Sequence, residues 1–390
     1  MKFLILNTDY PGFLEWLYAQ HPGLDQEPYE RQMIARNESL FGVADFYSRN
    51  LRALGHEAWD IHVNNPSMQT AWAREHGIQG REDTAASRGL RKALKAGRRL
   101  GSHAPLRYLK PLLRPALRAI EGPDYGIVEA QVKHHRPDVL LNQAVDAFSG
   151  DRLRALKPHV RLLVGQIGSA PGGKDFGAYD LVISSLPNIV TFARDQGAAA
   201  ELHRLAFEPS VLPRLTDGGP DVSVTFVGSL SRRHATRMRF LEDLCRSLDV
   251  EVWGQGVESL PASSCLRPRY RGEAWGVEMY RVLHQSRITL NQHGEIAGRH
   301  ANNMRLYEAT GVGACLVTDL KDDLHELFEP DREVVTYSRA EDCVEKVRYL
   351  LEHATERASI AGAGQRRTLK EHTYRLRMEE LAGIVTRYLR

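Results

Sequence analysis

Between Arg287 and Asp319 the chain gathers side chains suited to a phosphate-bearing ligand: Asn291, His293, His300, Asn302, Asn303, Arg305 and Glu308. Ile288 to Leu290 reads as a short buried strand and Asn291 to His300 as a polar loop. A helix is predicted from about Asn302 to Thr310, and a second strand from about Ala314 to Thr318. Asparagine at a helix start accepts hydrogen bonds from otherwise unpaired backbone N–H groups. A helix N-terminus that follows a strand also carries partial positive charge, and so forms a natural anion site. Met304 and Arg305 fall in its first turn. Glu308 lies further inside the helix, on a face that meets the sugar end of a nucleotide. The pattern reads as a nucleotide-sugar diphosphate site.

Two other features converge on the same anion. Gly228-Ser229 directly follows the predicted strand Val222–Val227, where a residue without a side chain lets backbone approach a phosphate. Arg232, Arg233 and Arg237 begin the next helix, within reach of that turn. A carboxylate in mid-helix usually faces solvent. Here the small residues after Glu308 let the helix sit close to the sheet, where a carboxylate can accept both hydroxyls of a ribose. Trp253 and Gly254 close a strand near the expected base, while Asn291, His293 and His300 face the sugar. No His/Asp/Glu spacing resembles a metal site, so arginines and helix dipoles must meet the charge of a leaving diphosphate. No cofactor is expected.

The elements that must position these groups follow from an α/β rhythm. At 390 residues the chain exceeds one ordinary domain and suggests two doubly wound, Rossmann-like α/β domains facing across a cleft. Residues 1–206 form the first, 207–221 a proline- and glycine-rich linker, 222–370 the second, and 371–390 a crossover helix packing back on the first. In the first domain Lys2–Thr8 reads as a strand ending in a turn, and Tyr29–Leu54 as one helical stretch. Tyr10, Asp146, Gln166 and Ser169 fall at strand ends, on the side where an acceptor would sit.

Composition adds bounds. A hydrophobic fraction of 42% and a charged fraction of 26% are ordinary for a globular chain. Four scattered cysteines without C-x-x-C spacing fit a reducing cytoplasm rather than a disulfide frame or a zinc site. No apolar run reaches the ~18 residues of a membrane span. The net charge of +3 conceals a basic insertion, residues 85–120, with ten lysines and arginines and no acid. It suits an anionic membrane surface or glycan and, lacking interleaved aromatics, does not suit nucleic acid.

The stretches Ile288-Thr-Leu-Asn-Gln-His, Asn303-Met-Arg-Leu-Tyr-Glu-Ala and Gly313-Ala-Cys-Leu-Val-Thr-Asp, with Val224-Thr-Phe-Val-Gly-Ser-Leu upstream, resemble the donor domain of family-1/family-4-like glycosyltransferases. The nearest branch is the spore-maturation-protein (CgeB-like) group. The resemblance covers most of residues 222–370 and implies a GT-B fold with the donor in the second domain and the acceptor in the first. It further implies a retaining, metal-independent hexosyltransferase of polysaccharide biosynthesis. The basic insertion 85–120 in turn suggests a glycan or lipid-linked acceptor at the inner face of the membrane. By the same resemblance Glu308 matches the second glutamate of the E-x7-E motif, which holds the donor ribose. The first glutamate is replaced by His300, and the usual arginine–lysine pair on the diphosphate by arginines alone. His293, Arg233 and Asp146 are the catalytic candidates, and the leaving phosphate can itself take the acceptor proton. A binding module without turnover and a nucleotide-sugar epimerase of the same fold are the alternatives.

Overall fold

The computed structural model describes residues 1–79, 123–215, 221–231 and 234–389. The basic insertion 85–120 lies outside them. The first sheet holds β1 (Lys2–Asn7), β2 (Glu57–His62), β3 (Val139–Asn142), β4 (Leu162–Gln166), β5 (Leu181–Ser184) and β6 (Ala200–Leu202), in the order β2-β1-β3-β4-β5-β6. Its helices are α1 (Pro11–Gln20), α2 (Tyr29–Glu38), α3 (Phe46–Ala53), α4 (Pro66–Glu75), α5 (Tyr125–His135), α6 (Gly150–Leu156) and α7 (Pro187–Asp195). The second sheet holds β7 (Val222–Val227), β8 (Glu251–Trp253), β9 (Ser286–Asn291), β10 (Cys315–Asp319) and β11 (Val335–Tyr337), in the order β11-β10-β9-β7-β8. Around it lie α8 (Ala235–Cys245), α9 (Val277–His284), α10 (Met304–Gly311), α11 (Ala340–Glu352) and α12 (Ala354–Glu371), and α13 (Tyr374–Tyr388) follows.

All pairings between these strands are parallel. Parallel sheets need helices on both faces, and their strands therefore read as nearly unbroken apolar runs; Phe3, Leu4, Ile5 and Leu6 of β1 are all fully buried. In each sheet the first strand lies between its two successors. The chain thus turns one way after β1 and the other way after β3, and likewise around β7 and β9. The loops diverge at those two points and leave a crevice beyond the strand ends.

Two local expectations are corrected. The turn after β1 is the start of α1, because Pro11 occupies the first helical position, where its missing N–H costs nothing and its φ is already helical. The single helix expected over Tyr29–Leu54 is two, α2 and α3. Between them Leu40 (φ 58°), Gly42 (61°) and Ala44 (39°) have left-handed backbone. The Ser39 carbonyl accepts the Val277 N–H at 2.8 Å, so tertiary contact with the second domain overrides helical continuity. The fit there is backbone on backbone: a Cβ on Gly276 would lie 1.9 Å from the Ser39 oxygen.

The chain crosses between domains twice. At the first crossing Phe207 is buried, and its N–H donates to the His372 carbonyl at 2.8 Å. At the second, the Tyr374 N–H donates back to the Phe207 carbonyl at 3.0 Å. The stretch read as a linker therefore begins inside the core; residues 216–220 lie outside the described residues. Helix α13 returns to the first domain, with the Tyr374 ring 5.3 Å from that of Phe46 and Arg387 paired with Glu201 at 3.0 Å.

Beneath the β1–α1 turn lies a buried ionic triad. Asp9 is 3% exposed, 2.6 Å from the Arg36 guanidinium and 3.0 Å from the His62 imidazole. Burial alone would push the Asp9 carboxyl up, but Arg36 and His62 outweigh it and hold it well below the usual carboxylate range. A lowered folded-state pKa gives stability that is present above the ordinary carboxyl pKa of about 3.9 and lost as pH falls below it. Arg36→Met strands the Asp9 charge and is expected to cost about 3–5 kcal/mol. Urea denaturation at neutral pH reads that loss, and the variant's loss of stability on acidification should be shallower than the parent's.

Candidate functional site

The crevice of the second domain opens where β7 and β9 diverge. Gly228 follows β7, and a Cβ there would lie 3.0 Å from the Phe226 ring. The Gly228 carbonyl oxygen lies 1.9 Å from where a Cβ on Gly254 would stand, and Gly254 itself has φ 141°. The loops after β7 and β8 therefore touch backbone to backbone. The Gly228 N–H donates to the Trp253 carbonyl at 2.9 Å, and the Leu230 N–H to the Gln255 carbonyl at 2.7 Å. Gly228 thus serves close approach rather than N–H donation to an anion. Ser229 Oγ instead accepts the Ser231 N–H at 3.3 Å and shapes the turn.

Two guanidiniums flank this turn. Arg237, on α8, lies with Nη1 4.0 Å from the position a Gly228 Cβ would take, and Nη2 donates to the Gln292 carbonyl at 3.1 Å. Arg305, on α10, reaches the Val227 carbonyl through Nε at 3.3 Å. Burial draws the Arg237 pKa down; attraction from Asp319 opposes that, and repulsion from Arg305 adds to it. Two neighbouring cations on one glycine turn are relieved by an anion. Arg232 and Arg233 lie outside the described residues.

Glu308 is 5% exposed and sits one turn beyond Arg305, with a 2.8 Å ion pair between them. Burial pushes its carboxyl up and Arg305 pulls it back. The cap of α10 divides the labour of the paired asparagines. Asn303 Oδ1 accepts the Leu306 N–H at 3.1 Å, and its Nδ2 donates to Asn291 Oδ1 at 2.8 Å. Asn302 instead crosses the cleft, donating to Ser185 Oγ beyond β5 at 3.0 Å. The amides of Met304 and Arg305, in the first turn, have no intrahelical partner. The Asn291 amide also donates to Thr318 Oγ1 at 2.9 Å, so both ends of that side chain are engaged.

Each histidine of the loop is held by an aspartate that the sequence did not single out. His293 is buried, with Nδ1 2.7 Å from Asp319 Oδ1, and its Nε2 is buried without a partner. Burial would raise the Asp319 carboxyl, but the His293 contacts and Lys321 hold it low. His300 Nδ1 lies 2.9 Å from Asp323 Oδ2, and Asp323 also accepts the Ala301 N–H at 2.6 Å. Burial would likewise raise Asp323, and these bonds hold it low. An aspartate on Nδ1 fixes the orientation of each ring.

The first domain opens at its own divergence, between β1 and β3. A cavity of about 280 Å³ is lined there by Thr8, Gln143, Asp146, Gln166 and Ser169 with small residues between them. Three of the four acceptor-side residues come together in it. Tyr10 does not: it is 62% exposed and stands on the rim with Phe41 and Trp275, ring centroids 5.8 and 6.4 Å away.

Comparison with known proteins bears on the fold. Residues 232–383 match the profile of a family described as Glycosyl transferase-like. No curated protein matches the chain. Among solved structures, Anabaena HepE in complex with UDP and glucose is 12% identical, with 99% of each chain covered and a TM-score of 0.59. A glycosyltransferase from Rickettsia africae is 10% identical over 100% of this chain and 98% of its own, TM-score 0.56. Sucrose-phosphate synthase from Thermosynechococcus elongatus is 10% identical over 99% and 98%, TM-score 0.53. The fold is GT-B, as the sequence implied, and the second domain is glycosyltransferase-like. Among the described residues no helix is long and apolar enough to cross a membrane.

The anion site carries its own test. Gly254→Ala drives a Cβ into the Gly228 carbonyl, and Arg305→Met removes one guanidinium. Calorimetric titration with pyrophosphate should show either change weakening binding by about tenfold or more, the loss of a charge-assisted hydrogen bond.

Proposed function

We propose that the protein transfers a hexose from a nucleotide-diphosphate sugar to an acceptor seated on the first domain. The observation that carries this reading is the Arg237–Gly228–Arg305 cluster with Glu308 one helical turn away, at the divergence point of the second sheet. Arg237, Arg305 and the first amides of α10 would take the diphosphate and stabilise it as the leaving group. Glu308, oriented by Arg305, would accept the ribose hydroxyls. Trp253 and Gly254 lie beside the turn where the base would rest, and the His293–His300 loop would face the sugar. The UDP bound by HepE supports a nucleotide in this crevice.

The reaction is read as retaining and metal-independent. Cleavage of the sugar–phosphate bond leaves the electron pair on the phosphate oxygen, which takes the proton of the acceptor hydroxyl as that oxygen bonds to the same face of the sugar. This needs no separate base. Asp146 stands on the acceptor side and would bind rather than abstract. The order of motifs from Val224 to Asp319 supports a CgeB-like branch, with polysaccharide assembly as its setting.

Incubation with UDP-, GDP- and dTDP-sugars, following nucleotide release, tests the proposal. Turnover with at least one donor is expected. Tight nucleotide binding without release from any donor overturns the transferase reading in favour of a binding module, and release of an epimerised sugar without an acceptor overturns it in favour of an epimerase. Glu308→Ala is expected to weaken nucleotide affinity about tenfold, or ~1.4 kcal/mol; unchanged affinity would remove the ribose assignment.

A further inference from the structure

A second cavity, of about 590 Å³, opens at the β2 edge of the first sheet, lined by side chains of β2 and of the helices α2, α3, α4 and α5. It shares no lining residue with the cavity between β1 and β3, and the transferase reading makes no use of it. We propose that it is a separate binding site, which takes an organic ammonium ion carried on a ring and holds the ammonium at Asp60.

The first argument is a buried charge without a counter-ion. Asp60 is 8% exposed. One of its oxygens accepts the Ser48 hydroxyl and the other the Asn7 amide at 3.3 Å, which leaves lone pairs on both. The cationic groups nearest to it, Arg36 and His62, are bonded to Asp9 instead. Burial pushes the Asp60 carboxyl up, and the Ser48 bond and His62 pull it back only in part. A buried carboxylate lacking a partner is costly, and an ammonium supplies the partner.

The rest of the described lining has the same sign. Glu30 and Glu38 are exposed where the cavity meets solvent, and neither forms an ion pair among the described residues. The two guanidiniums, Arg49 and Arg52, both pair with Asp45, at 2.9 and 3.7 Å. They also reach the Ser210 hydroxyl and the Ala58 carbonyl. Burial and the neighbouring His134 draw the His135 imidazole down to about 4, so it is uncharged near neutral pH. Negative charge is therefore left over, which attracts a cation and opposes a phosphate or a carboxylate.

Hydrogen-bonding capacity and shape agree. Asn37 Oδ1 lines the same cavity and is buried without a partner. Together with the Asp60 oxygens it offers acceptors to a ligand that brings donors, and an ammonium group brings three. The rings of Tyr29, Trp59 and Trp72 complete the wall, a surface that suits the body of an organic cation better than a hydrated metal ion. The volume falls within the ~300–1,000 Å³ of small-molecule sites, so a ring has room beside the charged group.

Calorimetric titration of the full-length protein tests this with two pairs of probes matched in shape. One is cyclohexylmethylammonium against cyclohexylmethanol, and the other is the methyl glycoside of glucosamine against its N-acetylated form. At least one ammonium probe should bind, with its neutral twin about tenfold weaker or worse, the worth of a charge-assisted hydrogen bond. Asp60→Asn keeps the shape, removes the charge and should weaken the ammonium about tenfold. Glu30→Gln combined with Glu38→Gln, at exposed positions, should weaken it about threefold. No binding by either ammonium, or a neutral twin that binds as tightly, overturns the proposal. Full affinity in an Asp60→Asn protein that is folded by circular dichroism also overturns it, because the ammonium then sits elsewhere. Should Asp60→Asn not fold, the double glutamine variant decides: weakened ammonium binding upholds the site, and unchanged binding overturns it.

Discussion

Everything in this molecule depends on a constraint of parallel sheets: the chain can leave a crevice only where successive connections turn to opposite sides. Each domain has one such place, at β1/β3 and at β7/β9, and each faces the other across the cleft. The residues that bear chemistry follow from that placement. Gln166 ends its strand, and Thr8 and Gln143 follow theirs, around the first divergence; Gly228, Gln292 and His293 follow theirs around the second. The crevice exists before any particular side chain is chosen, and the side chains decide only what it can hold.

The two crevices differ in their charged groups. Around Gly228 stand two guanidiniums, Arg305 paired with Glu308 and Arg237 attracted by Asp319. Around Gln143 the described lining holds no guanidinium; its one carboxylate, Asp146, is paired with Lys174, and its other polar side chains are amides and hydroxyls. The loop from His293 to Asn302 lies between these environments. Its imidazoles are held in place by Asp319 and Asp323.

The parts that could be read from sequence are those governed by local rules. Strand β7 emerged with its observed limits, Val222–Val227, because a strand buried in a parallel sheet is an apolar run with clear ends. Asn303 as a cap, and glycine as the residue after β7, follow from steric and hydrogen-bonding demands within a few residues. What escaped depends on distant partners. Asp319 and Asp323 gain meaning only once β10 is known to lie beside β9, which brings the two loops together. The break between α2 and α3 is imposed by Gly276, more than two hundred residues away in the chain. The Gly228 amide looked free for phosphate because its acceptor, the Trp253 carbonyl, belongs to a neighbouring strand whose pairing no local pattern reveals. The ionic triad under β1 was invisible for the same reason: Asp9, Arg36 and His62 are spaced without any period.

The double crossing between domains restricts how the cleft can work. A single covalent connection would let one domain swivel about any axis through it. Here two strands of chain run side by side, stitched by the bonds between Phe207 and both His372 and Tyr374, and the Phe207 ring is seated against Gly311 at the end of the donor-side helix. A stitched pair resists twist and shear but yields to bending, as the leaves of a book turn only about the spine. Bending about that spine is the motion the crossing opposes least. Because α10 ends there, the helix carrying Arg305 and Glu308 sits near the axis, and such bending would displace it less than the first domain's cavity between β1 and β3.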